Sequence, residues 1–130
     1  MNVAIVLADF HAEISEKMLA AAKDECKKRG LFVYKIIRVT GAFDIPLPLK
    51  RLLANPQVHG AVVLGAVVQG ETSHDEVVAY TSSEKIAQLS LDYDKPVGYG
   101  VSGPRMSVAQ AEKRAEEFAR RAVEAVARSL

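Results

Sequence analysis

A single cysteine, Cys26, stands among 130 residues. No internal disulfide can form, so a reducing compartment is the default and Cys26 is expected to be a buried, unreactive thiol. Charge nearly cancels: 17 Lys and Arg face 16 Asp and Glu, for a formal net charge of +1. Without a basic surplus there is no electrostatic case for a nucleic-acid or anionic-membrane partner, and any anion binding has to be local. No apolar run reaches membrane-spanning length. The stretch from Met1 to Ala8 lacks a basic leader and meets Asp9 too soon for a signal peptide, so a cytoplasmic protein is the simplest expectation. The three histidines, His11, His59 and His74, have no ligand spacing, and no metal site is expected. Repeats, linkers and low-complexity tracts are also missing, which implies one domain over residues 1–130.

What remains is an ordinary globular balance, 49% hydrophobic and 25% charged, able to bury roughly two-thirds of the unfolded surface. The run from Val3 to Ala8 is continuously apolar and suits a strand buried on both faces. Ile14, Met18, Ala21, Ala22 and Cys26 then share one helical face, and Gly30 ends that helix after the basic Lys27-Lys28-Arg29. Phe32 to Val39 is β-branched and aromatic, a second strand. A short helix over Pro46–Leu53, a third strand over Gly60–Val68, a helix over Ser73–Leu91 and a fourth strand over Pro96–Val101 follow. The tail from Met106 reads as one long helix. Strands alternating with helices imply right-handed crossovers: a flavodoxin-like, three-layer α/β/α sandwich around a four-stranded parallel sheet.

Chemistry concentrates where the third strand gives way to a helix, Leu64-Gly65-Ala66-Val67-Val68-Gln69-Gly70-Glu71-Thr72-Ser73-His74-Asp75-Glu76. In open α/β sheets ligands gather outside the carboxyl ends of strands, and backbone N–H groups at a helix start attract phosphate. Ser73 and Glu76 have capping-box spacing, a purely structural reason for those two. That reason does not extend to Gly70 or to His74, an imidazole placed for general acid–base work. After the second strand, Gly41-Ala42-Phe43-Asp44-Ile45-Pro46 combines a sharp turn with small residues and a carboxylate. Asp44 there is either a hydrogen-bond acceptor for hydroxyls or simply the helix N-cap. Past the first strand, Phe10 is placed to stack on a planar heterocycle or to pack at the rim, and His11 reads as a solvated loop residue. On the last helix, Arg114, Phe118 and Arg121 share a face, where a phosphate contact from Arg114 competes with ion pairs to Glu116, Glu117 and Glu124.

Taken in order, Arg38-Val39-Thr40-Gly41-Ala42-Phe43-Asp44-Ile45-Pro46-Leu47, Leu64 to His74, and Lys95-Pro96-Val97-Gly98-Tyr99-Gly100-Val101 resemble the lumazine synthase family. The resemblance implies a flavodoxin-like enzyme that assembles into a homopentamer or a multiple of pentamers. Its activity condenses 5-amino-6-(D-ribitylamino)uracil with 3,4-dihydroxy-2-butanone 4-phosphate in riboflavin biosynthesis, with no metal or organic cofactor. An imine forms, phosphate leaves, and the ring closes with loss of water.

Residue by residue, the resemblance implies that Phe10 stacks on the pyrimidine and that Ala42, Phe43 and Asp44 hold the ribityl chain and ring edge. Ala66, Val67 and Val68 line the pyrimidine pocket through their backbone. Glu71 and Thr72 sit at the phosphate, and His74 shuttles protons. Tyr99 and Arg114 match positions supplied by a neighbouring subunit, with Arg114 facing the phosphate and Arg121 matching a second basic position. The chain departs from the family pattern at Thr40, usually proline, and at His11, usually an amide-bearing residue. Glu116-Glu117-Phe118-Ala119-Arg120 also replaces a glycine-containing stretch. Two alternatives stand beside this reading. One is the riboflavin synthase paralogue of the same fold, whose chains lack the Gly-Glu-Thr-x-His element. The other is a non-catalytic flavin- or lumazine-binding module, which has less need of both His74 and Arg114.

Overall fold

Val3–Leu7 and Ala61–Leu64 are fully buried because each lies in an inner strand covered by helices on both faces. The structure is a computed structural model that describes residues 1–70 and 72–130. It contains β1 (Asn2–Ala8), α1 (Ala12–Lys28), β2 (Phe32–Val39), a 3-10 turn (Ala42–Asp44), α2 (Pro46–Leu53), β3 (Gly60–Ala66), α3 (His74–Tyr93), β4 (Val97–Ser102) and α4 (Val108–Ser129). All strand pairs are parallel, in the order β2-β1-β3-β4. Side chains alternate across the sheet. Val3, Ile5, Leu7, Val62 and Leu64 pack against α1 and α4, while Ala4, Val6, Ala61 and Val63 pack against α2 and α3. This is the expected three-layer sandwich.

Local signals explain the element ends. After α1, Leu31 N–H donates to Cys26 O at 2.9 Å and Gly30 N–H to Lys27 O at 3.2 Å, with Gly30 at φ 71°. These two bonds form a Schellman motif, and the left-handed residue is the glycine. The third strand stops at Ala66, two residues before the expected Val68. There Val67 N–H makes the last rung with β4, donating to Ser102 O at 2.9 Å, and Gln69 N–H turns to Met106 O at 2.8 Å, so the chain leaves the ladder for the loop after β4. The expected capping box at Ser73 is not formed, because the Glu76 carboxylate accepts from Arg105 Nε at 2.8 Å instead. A capping box forms at Ser107 and Gln110, opening α4.

Helix α4 rests so closely on β4 that Gly98 has no room for a side chain. A Cβ there would lie 2.0 Å from Ala122 O. Gly98→Ala is therefore expected to lift α4 from the sheet and cost about 3 kcal/mol, the upper end of ordinary overpacking. Urea denaturation checks this, and an unchanged midpoint would contradict the close approach.

Cys26 is fully buried. Burial, with a smaller contribution from the Glu25 charge, pushes its thiol from 9.0 to about 11. The fold therefore keeps the thiol neutral where the unfolded chain ionises. That contribution is intact below pH 9 and is lost between pH 9 and 11, amounting to about 2–3 kcal/mol. Urea midpoints measured over that range should fall more steeply for the unaltered chain than for Cys26→Ala.

Candidate active site

The chain runs from β1 to β2 on one side and then crosses β1 to reach β3 on the other. The carboxyl ends of β1 and β3 therefore flank a topological switch point, where open sheets bind ligands. A cavity of about 480 Å³ opens there. Three crossings line it: Phe10 and His11 after β1, Thr40 to Asp44 after β2, and Ala66 to Val68, Gly70, Thr72, His74 and Asp75 after β3. Phe10 and Phe43 stand 71% and 61% exposed at its mouth, two large apolar rings with little of the protein covering them.

The turn after β2 is self-braced. Asp44 Oδ2 accepts the Gly41 N–H at 3.0 Å, which fixes residues 41–44 as a 3-10 turn. Asp44 is thus not the N-cap of α2. Ile45 occupies that position and makes no side-chain cap, while Pro46 opens the helix, as expected for proline in a first turn. On the β3 side, the Val67 N–H is spent on Ser102 and the Gln69 N–H on Met106, which leaves neither for a ligand. Gly70 faces open space, so packing does not demand a glycine there. The Thr72 hydroxyl accepts the His74 N–H at 3.3 Å. The Glu71 expectation lies outside the described residues.

Of the three histidines, His59 is committed elsewhere, its Nδ1 accepting the Asn2 N–H at 2.9 Å near the start of β1. His74 lines the cavity at the first residue of α3. His11 lines it too, half-buried and edge-on to Phe10 with ring centroids 5.1 Å apart, rather than standing in solvent. The residue next to His74 was also missed by sequence reasoning. Asp75 is a buried carboxylate on the same cavity, and nothing in its spacing marked it as inward-facing. Among the described residues no group of His, Cys, Asp and Glu is arranged to hold a metal ion, and no helix is long and apolar enough to cross a membrane.

Three expected site residues lie away from this cavity. Tyr99 is on the outer strand β4, against α3. Desolvation raises its phenol above the ordinary range, an effect opposed by the nearby Ser82 and Ser83 hydroxyls. Arg114 and Arg121 line a separate groove of about 280 Å³ on α4, with Glu117 and Phe118. Arg121 pairs with Glu117 at 2.6 Å, whereas Arg114 makes no ion pair among the described residues.

Sheet, switch-point cavity and imidazole define an α/β-sandwich protein with a cavity of small-molecule size at its switch point. Comparison with known proteins makes the class specific. The family model described as 6,7-dimethyl-8-ribityllumazine synthase matches residues 1–130, and the chain belongs to that family. Relatives carrying that same name include one from Methanobrevibacter smithii, 44% identical over 124 residues, or 95% of this chain and 89% of the relative. Another, from Picrophilus torridus, is 41% identical over 130 residues, covering 100% of this chain and 95% of the relative. A third, from Archaeoglobus fulgidus, is 42% identical over 125 residues, covering 96% and 87%.

Proposed function

We propose that the chain is a transferase of riboflavin biosynthesis that condenses 5-amino-6-(D-ribitylamino)uracil with 3,4-dihydroxy-2-butanone 4-phosphate. The products are 6,7-dimethyl-8-ribityllumazine, phosphate and water. The observation that carries this reading is the switch-point cavity lined by Phe10, the Ala42–Asp44 turn, the end of β3, Thr72 and His74. A heterocycle stacks on Phe10, and its ribityl chain runs toward Phe43 and Asp44. The phosphate of the second substrate lies at the Gly70–Thr72 end, where α3 begins with its positive dipole end. His74 then moves protons during imine formation and elimination. Holding two substrates side by side turns a bimolecular step into an effectively unimolecular one, so orientation supplies most of the acceleration.

The active unit in this reading is a homo-oligomer, a pentamer or a multiple of pentamers, working in the cytoplasm. Two observations support assembly. Tyr99, Arg114 and Arg121 lie off the cavity of their own chain, where a neighbour's site could draw on them. Helix α3 also carries Val77, Tyr80 and Leu91 exposed, an apolar stripe with no cover in the isolated chain. The lone buried cysteine suits a reducing cytoplasm.

Purified protein mixed with both substrates should produce lumazine absorbance above the spontaneous rate. Background turnover from a folded oligomer that still binds lumazine would point instead to a binding module. Riboflavin formed from lumazine alone would point to the paralogous synthase.

A further inference from the structure

The first turn of α3 carries His74, and Ser73 gives that turn no side-chain cap. Terminal helical turns fray unless something outside the helix holds them. The Thr72 hydroxyl accepts the His74 N–H at 3.3 Å, and Asp75 supplies a second hold, to a distant segment. The Asp75 residue is 5% exposed, it lines the cavity next to His74, and its Oδ2 accepts the Arg105 N–H at 3.0 Å. A carboxylate so deeply buried is costly without hydrogen bonding, so this contact is a specified one.

Arg105 presents that N–H from φ 58°, a left-handed conformation that residues with side chains seldom adopt. Such backbone persists where its surroundings over-determine it, and it clusters at functional sites. Here the surroundings are explicit. Val67 and Gln69, on the segment that leads into α3, bracket the loop that contains Arg105, donating to Ser102 O at the end of β4 and to Met106 O beyond Arg105. The Arg105 side chain also reaches Glu76 at 2.8 Å. That ion pair is exposed and adds little energy, which leaves the buried Asp75 contact as the principal tie.

We propose that Asp75 is a positioning residue for the condensation. By accepting the Arg105 N–H it pins the start of α3 to the loop after β4, and so keeps the His74 imidazole aimed into the cavity. The role rests on the synthase reading above. Asp75 acts through His74, so its loss belongs in kcat rather than in substrate affinity.

Steady-state kinetics of Asp75→Ala and Asp75→Asn in the intact oligomer, with both substrates varied, test this. Misplacing a reacting group by about 1 Å can cost about 10²-fold, so Asp75→Ala should lose about 10²-fold in kcat with both KM values held. Asp75→Asn keeps an oxygen that accepts the same N–H, and its kcat should stay within about threefold of the unaltered protein. An alanine variant with full kcat overturns the proposal, as does an asparagine variant impaired as badly as alanine. Should the alanine variant not fold, Asp75→Glu takes its place. Its acceptor is displaced by one methylene, and about tenfold lower kcat at constant KM is expected, while full kcat there overturns the role. Unaltered protein that makes no lumazine sinks the synthase reading and this role together. Turnover in the unaltered protein alongside a fully active alanine variant removes only Asp75.

Discussion

Replacing His74 with alanine is expected to lower kcat by about 10²–10⁴-fold while leaving both KM values close to those of the unaltered protein. Imine formation, phosphate elimination and ring closure each need a proton delivered or removed, and few groups on the cavity are free to do it. Asp44 Oδ2 is held by the Gly41 N–H and Asp75 Oδ2 by the Arg105 N–H. His59 lies off the cavity, tied to the start of β1, and His11 lines it packed edge-on against Phe10. His74 combines cavity access with a place beside Thr72, at the phosphate end of the proposed substrate arrangement. The loss has a ceiling because orientation of the two substrates survives the substitution. His74→Gln separates the two contributions, since glutamine keeps a hydrogen-bonding side chain but cannot carry the proton. It should be nearly as impaired as alanine. Lumazine formation followed by absorbance reads all three proteins, and a glutamine variant near full kcat would reduce His74 to a binding contact.

The scaffold was legible wherever a local pattern decided it. Continuous apolar runs mark β1 and β3 because both of their faces are covered, and Pro46–Leu53 announces itself by proline at one end and its apolar face. The cavity was legible through residue types after each strand, since Phe10, Phe43 and His74 have weak structural reasons to stand where they do. What stayed hidden depends on contacts between distant segments. Val67 and Val68 look like strand, but the ladder ends at the Val67 N–H, and the next bonded N–H, that of Gln69, goes to Met106 in the loop after β4, more than thirty residues away. Ser73 and Glu76 have the spacing of a capping box, but Arg105 competes for the glutamate. Asp75 reads as one more acidic residue in a first turn, and His11 as a loop histidine. Their burial against the cavity follows from how three crossings meet, which no window of neighbouring residues encodes. Arg114 is the extreme case, because its proposed role requires a second copy of the chain.

That last role yields the sharpest expected result. Arg114→Ala should lower kcat/KM by about 10²–10³-fold, the usual cost of removing a donor that faces developing charge. The residue is charged, makes no ion pair among the described residues, and lies on a groove separate from the cavity of its own subunit. If a neighbour's phosphate is its target, the site is divided between chains and complementation follows. Arg114→Ala and His74→Ala oligomers, each nearly inactive, are unfolded, mixed in equal amounts and reassembled. In a cyclic head-to-tail ring each site takes its cavity from one subunit and its arginine from the next. A site is whole when an Arg114→Ala subunit, which keeps His74, is followed by a His74→Ala subunit, which keeps Arg114. Random assembly makes that pairing at about one site in four, so the mixture should recover about a quarter of the unaltered activity. A site built within one chain gives a different result, because no chain in the mixture has both residues and recovery is then nil. Activity is read after gel filtration of the reassembled oligomer, so a failure to assemble is seen directly and is not mistaken for a failure to complement.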